Sequence, residues 1–326
     1  MSKYALKLLI QMIPLLLGIS LVSFTIMHLA PGGPMMIVAG DSEATLDPEQ
    51  VALLRARYGL DQPIPVQFVK WLSNIARGDF GMSFIENRPV LDMIMERLPN
   101  TLYLNLVVLL VTYALTIPIG VMSALRQYSR FDIGVTTVAF WGQAMPNFWF
   151  ALLLIVTFAI PIQWVPTSGM ATHEVTLTDA GFMAVVLDRL KYLMLPAIVL
   201  ITERLTGLTR YMRASMLEVV GQDYVRTARA KGLSERVVIY RHALKNAILP
   251  IITLAGFTLS ALFSGSVIVE RIFSWPGVGN LSIQSIFQRD YSVVMAFNII
   301  GATLTIMGML LVDLAYAFID PRIRFD

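Results

Sequence analysis

Two charged neighbours stand where charge is costly. Glu203 and Arg204 sit side by side in Leu193–Met212, a largely apolar stretch. Adjacent residues on a helix do not face each other. Each therefore needs its own partner, water or a protein interior. Gln143, Pro146 and Asn147 interrupt a second apolar run, and proline there removes a backbone hydrogen bond and kinks a helix. Groups of this kind bind or gate; they do not make a reaction centre. Covalent chemistry has no visible tool set. The chain has no cysteine, and its three histidines are far apart, so no zinc spacing forms. A phosphate loop with its lysine, a G-x-S-x-G elbow and an H-E-x-x-H pair are all absent from the sequence.

The third polar feature is a wet, basic stretch. "DYVRTARAKGLSERVVIYRHALKNAILP" runs from Asp223 to Pro250 and carries Arg226, Arg229, Lys231, Arg236, Arg241 and Lys245. Asp223 is placed to cap a short helix over Tyr224–Lys231, and Gly232 suits the left-handed residue that ends it. Ser234 is placed to cap a second helix from Glu235. On the second helix Val237, Tyr240 and Leu244 fall on one apolar stripe. On the first, Tyr224, Val225 and Ala228 share one side, and Arg226 and Arg229 another. Two short helices bent at a glycine must pack their apolar side against the protein's own helix ends, a lipid surface or a partner.

The elements that hold these features are written in oil. Hydrophobic residues make up 56% of the chain and charged residues 14%, against ~25% charged in soluble proteins. Leu8–Ala30, Thr101–Leu125, Ile133–Ile160, Asn246–Val269 and Tyr291–Val312 are uncharged and long enough for the ~20 residues that cross a bilayer as helix. Leu193–Met212, with its two charges, is the sixth candidate. The expected fold is therefore all-α, a polytopic membrane protein with six transmembrane helices forming a single permease-like domain over 1–326. Leu8–Ala30 is too long for a cleaved signal core and reads as a retained first helix.

Lysine and arginine set the orientation. With the N-terminus in the cytoplasm, 14 of them fall inside and ten outside, six of the ten in one long loop. That bias matches the positive-inside rule, and it puts the basic stretch, within a loop spanning 214–245, in the cytoplasm together with both termini. The long outside segment, 31–97, shows helix punctuation: Asp47, Pro48 and Gln50 at a start, Gly59 at an end, then an amphipathic stripe of Phe68, Trp71, Leu72 and Ile75. It is expected to form an extracytoplasmic helical cap between the first and second helices. "SWPGVG", with Pro276, Gly277 and Gly279, marks a tight turn in the last outside loop. His28 reads as a snorkelling polar tip and Asp313 as interfacial. Phe148, Trp149 and Phe150 read as packing or lipid-facing.

"RTARAKG" followed by "RHALKNAILP" resembles the cytoplasmic loop of ABC importer permeases, nearest to the peptide and nickel branch. "YGLDQP" at Tyr58–Pro63, "GDFG" at Gly78–Gly81, "LPNT" at Leu98–Thr101, "WPGVG" at Trp275–Gly279, "RDY" at Arg289–Tyr291 and "DPRIR" at Asp320–Arg324 resemble the same branch, in order along the chain. The loop departs from the family pattern at Arg226, Thr227, His242 and Lys245, and fits it at Ala228, Gly232 and Leu244.

The resemblance implies a type I ABC importer permease subunit for peptides, in the cytoplasmic (inner) membrane of a prokaryote, and no enzyme by itself. The loop residues Asp223, Tyr224, Arg226, Ala228, Arg229, Gly232, Val237, Tyr240, His242 and Leu244 would form coupling helices seated on a cytoplasmic ATPase. Implied partners are a second homologous permease chain in a heterodimer, two ABC ATPase subunits that hold ATP and Mg, an extracytoplasmic substrate-binding protein, and membrane lipid; nucleic acid is not one. No metal and no cofactor is expected on this chain. Gln143, Asn147, Glu203 and Arg204 become translocation-path candidates. The bland readings stay open: helix–helix hydrogen bonds for the first two; for the charged pair, an ion pair with the second permease or an early exit of the helix. Nickel, glutathione or an oligosaccharide remain alternative cargoes. An ion-coupled transporter, with Glu203 or Asp313 carrying protons, and a polytopic membrane enzyme are the rival classes.

Overall fold

The computed structural model describes residues 2–29, 49, 52, 53, 56, 61–162, 164–172, 181–263 and 265–319. The expected Asp47–Gln50 start, the stop at Gly59 and the Asp320–Arg324 motif fall outside them, as does the Asp313 side chain. The described residues are helical, with a lone β-bridge between Met82 and Pro89 and no strand among them. Contacts divide the chain into two units, 1–99 with 277–326 and 100–276.

The first unit holds α1 (Ser2–Leu29), α2 (Ile64–Ala76), the beginning of α3 (Val90–Leu125), α11 (Val278–Phe287) and α12 (Tyr291–Ile319). Phe24 and Met27 of α1 pack on Met295 of α12, and Phe68 and Trp71 of α2 close over them. Phe24 meets both rings, at 5.3 and 5.5 Å between centroids. The stripe expected on α2 is thus its half-buried face. His28 is not a free tip, because one ring nitrogen lies 3.2 Å from Gln67 Oε1. Val90, Met93 and Ile94 form a further core with Val278, Leu281, Val293 and Ala296. Ser83 donates to Asp290 of the "RDY" motif, and Val90 N–H donates to the Gly81 carbonyl of "GDFG". These motif residues are joints of the fold.

The second unit holds the rest of α3, then α4 (Arg130–Ala144), α5 (Asn147–Ala159), α6 (Phe182–Val220), α7 (Asp223–Ala230), α8 (Glu235–Ala247), α9 (Leu249–Ser260) and α10 (Val267–Ile272). One core gathers Leu104, Val108, Leu154, Leu193, Leu200 and Trp275, the other Val121, Met212, Met216, Val225, Ile239 and Ile251. α3 and α6 approach closely at Gly120, where a Cβ would lie 2.6 Å from Met212 Cβ. α4 and α6 do the same at Gly142, facing Thr206 and Thr202. Small residues at such crossings let backbones pack without lipid between them. Asn100 Nδ2 donates to Pro276 O at 2.8 Å, and Trp275 Nε1 donates to Asn100 O at 3.1 Å. "LPNT" and the head of "WPGVG" are therefore one fastening.

Among the described residues three helices are long and apolar enough to cross a membrane: Ile10–Leu29, Val90–Leu125 and Tyr291–Leu310. Two bent pairs join them, Arg130–Ala144 with Asn147–Ala159 at 103°, and Glu235–Ala247 with Leu249–Ala255 at 47°. The run Ile133–Ile160 is therefore not the continuous helix its composition suggests. Pro146 explains the break: the residue before proline is pushed to extended backbone, and Met145 has φ −82°, ψ 125°. The run Asn246–Val269 also ends early, in a 3₁₀ turn at Ala261–Phe263 followed by Gly265 at φ 68°. α6, which carries Glu203 and Arg204, begins well before Leu193 and continues to Val220.

Candidate functional site

The loop after α6 is the bent helix pair that the sequence suggests, with its own details. α7 spans Asp223–Ala230, and Gln222, not Asp223, occupies the cap position. The Asp223 carboxylate points into solvent toward Arg226, 3.4 Å away. Neither Gln222 nor Ser234 makes a side-chain capping bond. Gly232 follows with φ 76°. That left-handed conformation is free for glycine and costs other residues. Its N–H returns to the Arg229 carbonyl at 2.9 Å, closing the helix end.

Across the bend Arg229 forks onto Glu235, its Nη2 2.8 Å and its Nε 3.2 Å from the two carboxylate oxygens. The hydrogen bonds from Arg229 hold the Glu235 carboxyl below its ordinary value. Asn246 Nδ2 donates to Tyr224 Oη at 2.8 Å, tying α8 back to α7. Ser215 Oγ donates to the Ala247 carbonyl at 2.8 Å, tying α8 to α6.

α8 contains a π-helical segment, Val238–Ala243, which widens one turn. Such bulges shift the register of the residues that follow and recur at functional sites. The consequence is visible in burial. Val238, Ile239, Ala243 and Ala247 face the core, with Val225 and Ala228 from α7. Val237 and Tyr240 are left exposed, and Leu244 is half-buried against that core. The stripe read from the sequence is therefore mainly the outward face. A second stripe, Val238, Ile239, Ala243 and Ala247, fastens the pair to the bundle.

Arg226, Arg229 and Tyr224 are exposed, while His242 is half-buried. The result is a basic, partly apolar knuckle, hydrogen-bonded and packed to the bundle on its inner side.

At the base of the loop a pair missed by the sequence reading holds α6 to α4. Arg213 Nε and Nη2 donate to Asp132 at 2.6 and 2.8 Å. Asp132 is buried, and also accepts from Ser123 Oγ and from Tyr128 N–H. The available signal is the spacing Ser129-x-x-Asp132, a helix-start signature. Ser129 does cap α4, accepting from the Asp132 N–H at 3.2 Å.

The path candidates divide into two places. Gln143 is exposed and Asn147 half-buried at the α4–α5 break, and neither side chain is hydrogen-bonded among the described residues. The exposed rings of Phe140, Trp141, Phe148 and Trp149 surround that break. Glu203 and Arg204 instead line a cavity of about 500 Å³ with Thr112 and Tyr113 of α3 and Thr258 of α9. Arg204 Nη2 donates to Asn105 Oδ1 at 3.2 Å, and Asn105 Nδ2 donates to the Leu262 carbonyl at 3.1 Å. Arg204 Nη1 and Thr112 Oγ1 are buried without a hydrogen-bond partner. Among the described residues no cluster of three metal-ligating side chains occurs.

Comparison with known proteins agrees along the whole length. Residues 116–325 match the family described as "Binding-protein-dependent transport system inner membrane component". Residues 1–105 match its N-terminal companion, "Binding-prot-dependent transport system membrane comp, N-term". The chain is 45% identical to an oligopeptide transport system permease protein of Bacillus subtilis (strain 168), over all of both chains. It is 39% identical to a dipeptide transport system permease protein of Escherichia coli (strain K12), covering 99% of each.

Proposed function

Because this chain belongs to the family of binding-protein-dependent transport system inner membrane components, we propose that it is the permease subunit of an ATP-driven importer of peptides. The observation that carries the cargo is the full-length identity to relatives named for oligopeptides and dipeptides. The loop gives the reading its mechanics. ATP hydrolysis belongs to two separate ABC ATPase subunits, since this sequence has no phosphate loop. The exposed face of α7 and α8 docks on one of them. Gly232, the Arg229–Glu235 fork and the Ser215–Ala247 bond make the pair stiff enough to pass a push to α6 and α9.

With six crossings, counting both bent pairs and α6, the N- and C-termini and this loop lie in the cytoplasm. The segment 31–97 lies outside, where a substrate-binding protein delivers the peptide. A second homologous permease completes the pathway.

The test is uptake of labelled dipeptides and oligopeptides by cells in which the chain is deleted and then restored. Restoration should return uptake, and depletion of ATP should stop it while the ion gradient is maintained. Uptake that ignores the deletion, or that runs on the ion gradient without ATP, overturns the proposal.

A further inference from the structure

The cavity beside Glu203 and Arg204 has more chemistry in it than a pathway wall needs. Its volume, about 500 Å³, falls within the range of sites for small ligands, about 300–1,000 Å³. Most of its lining is apolar, with a few convergent polar groups. Arg204 is held in place from one side by a relay, Asn105 and then the Leu262 carbonyl. Its other terminal nitrogen, Nη1, is buried and unsatisfied, and so is Thr112 Oγ1 on the facing helix.

Guanidinium stays charged under all ordinary conditions. A buried donor on a charged group without an acceptor is costly. Glu203 does not cure it by adjacency, because neighbouring residues point to different sides of a helix. Arg204 and Thr112, from two helices, both line this cavity, and each carries a buried donor without a partner.

We propose that this cavity is a carboxylate subsite, in which Arg204 and Thr112 together hold the free C-terminal carboxylate of a peptide. The inference rests on the peptide-permease reading above and adds to it the end of the cargo that this chain recognises. Arginine matches a carboxylate with two parallel N–H donors, and the Asn105 relay fixes the guanidinium before the ligand arrives. Glu203, exposed on the same cavity, supplies the opposite charge that a zwitterionic peptide also needs.

The chain has no native cysteine, so a single thiol reports on the cavity without background. In the purified importer, assembled with its partner chains, Leu208→Cys at the cavity wall is labelled with a maleimide and read on this chain's own gel band. Trialanine and trialanine C-terminal amide serve as probes. Trialanine should protect the thiol, and the amide should need about tenfold more or worse, the effect of losing a charge-assisted bond. Arg204→Gln on the Leu208→Cys background should bring the two probes to equal, weak protection. Arg204→Lys should give an intermediate preference for the acid. Equal protection by acid and amide with Arg204 intact overturns the proposal without any further variant having to fold. A preference for the acid that survives Arg204→Gln overturns it as well. Uptake of trialanine by cells carrying the intact importer is measured in parallel. Uptake without acid preference at the introduced thiol defeats only the subsite, whereas no peptide uptake defeats the peptide-permease reading itself.

Discussion

Arg213 forks onto Asp132 from near the end of α6, its two nitrogens 2.6 and 2.8 Å from the two carboxylate oxygens. Asp132 is almost fully enclosed and the Arg213 side chain is a quarter exposed. Removing one member of a buried pair leaves the other charge stranded, at a cost of roughly 3–5 kcal/mol. With Arg213 partly in water, Asp132→Asn and Arg213→Gln should each fall toward the lower end of that range. The double substitution should cost less than the sum of the two. Thermal melting of the purified assembly measures all four corners of the cycle; strict additivity would show that the fork contributes no coupling.

Gly232 separates the two loop helices at φ 76°, and a Cβ there would meet nothing within 4 Å. Any penalty for substitution is therefore conformational and not steric. Gly232→Val should strain the bend by about 1–2 kcal/mol and lower the peptide carried per ATP hydrolysed. Gly232→Asn, which tolerates the left-handed region, should retain most of the coupling. Equal coupling in both variants would mean the bend does not transmit force. The Arg229–Glu235 fork across the bend adds a pH signature. Glu235 is held below its ordinary value of 4.5 by Arg229. A depressed acid supports the fold above its unfolded value and loses that support as pH falls through the folded one. The protection of α7 and α8 amides, corrected for the intrinsic exchange rate, should therefore weaken below pH about 4.5, and Glu235→Gln should remove that dependence.

Val237 and Tyr240 are the outward apolar groups of α8, while Val238 and Ile239 are buried. Val237→Asp with Tyr240→Asp should release the ATPase subunits in a pull-down and leave the melting temperature of this chain little changed. Val238→Asp should do the reverse of a surface change, since an unpaired buried carboxylate unfolds its surroundings. ATPases retained by the Val237/Tyr240 variant would assign that face to lipid.

The class of the molecule is legible because uncharged runs and the lysine–arginine bias are additive, local signals. α1 ends and α12 begins close to where composition puts them, and Gly232 can be placed because left-handed backbone selects glycine. Breaks within the runs are harder to see. Pro146 is recognisable as a kink, but a 103° turn depends on what packs around it. The turn at "SWPGVG" puts its left-handed residue at Ser274, φ 48°, and not at a glycine. There the Trp275 N–H bonds to the Glu270 carbonyl at 2.8 Å and holds the strained residue. The π segment in α8 leaves no composition signal, and the stripe of Val237 and Tyr240 does not by itself say that Val238 and Ile239 are the buried side. Arg204 stands out as a charge at depth, yet its relay through Asn105 joins residues 99 positions apart and has no local mark.

Two glycines separate close packing from helix propensity. At Gly120 a Cβ would stand 2.6 Å from both Met212 Cβ and Met212 Cγ and 3.3 Å from the Arg213 backbone nitrogen. Met212 is fully buried and its Cβ cannot move without the helix. Gly120→Ala must therefore push α3 from α6, an overpacking cost of roughly 1–3 kcal/mol. The displacement falls one residue from the Arg213 fork, so part of the loss should vanish on an Arg213→Gln background. Gly134, on α4, has nothing within 4 Å. Gly134→Ala should stabilise by about 0.4–1 kcal/mol through the unfolded chain alone. Melting of the two variants side by side checks the sign at each position: a stabilised Gly120→Ala would show that the α3–α6 crossing is looser than its close contacts imply.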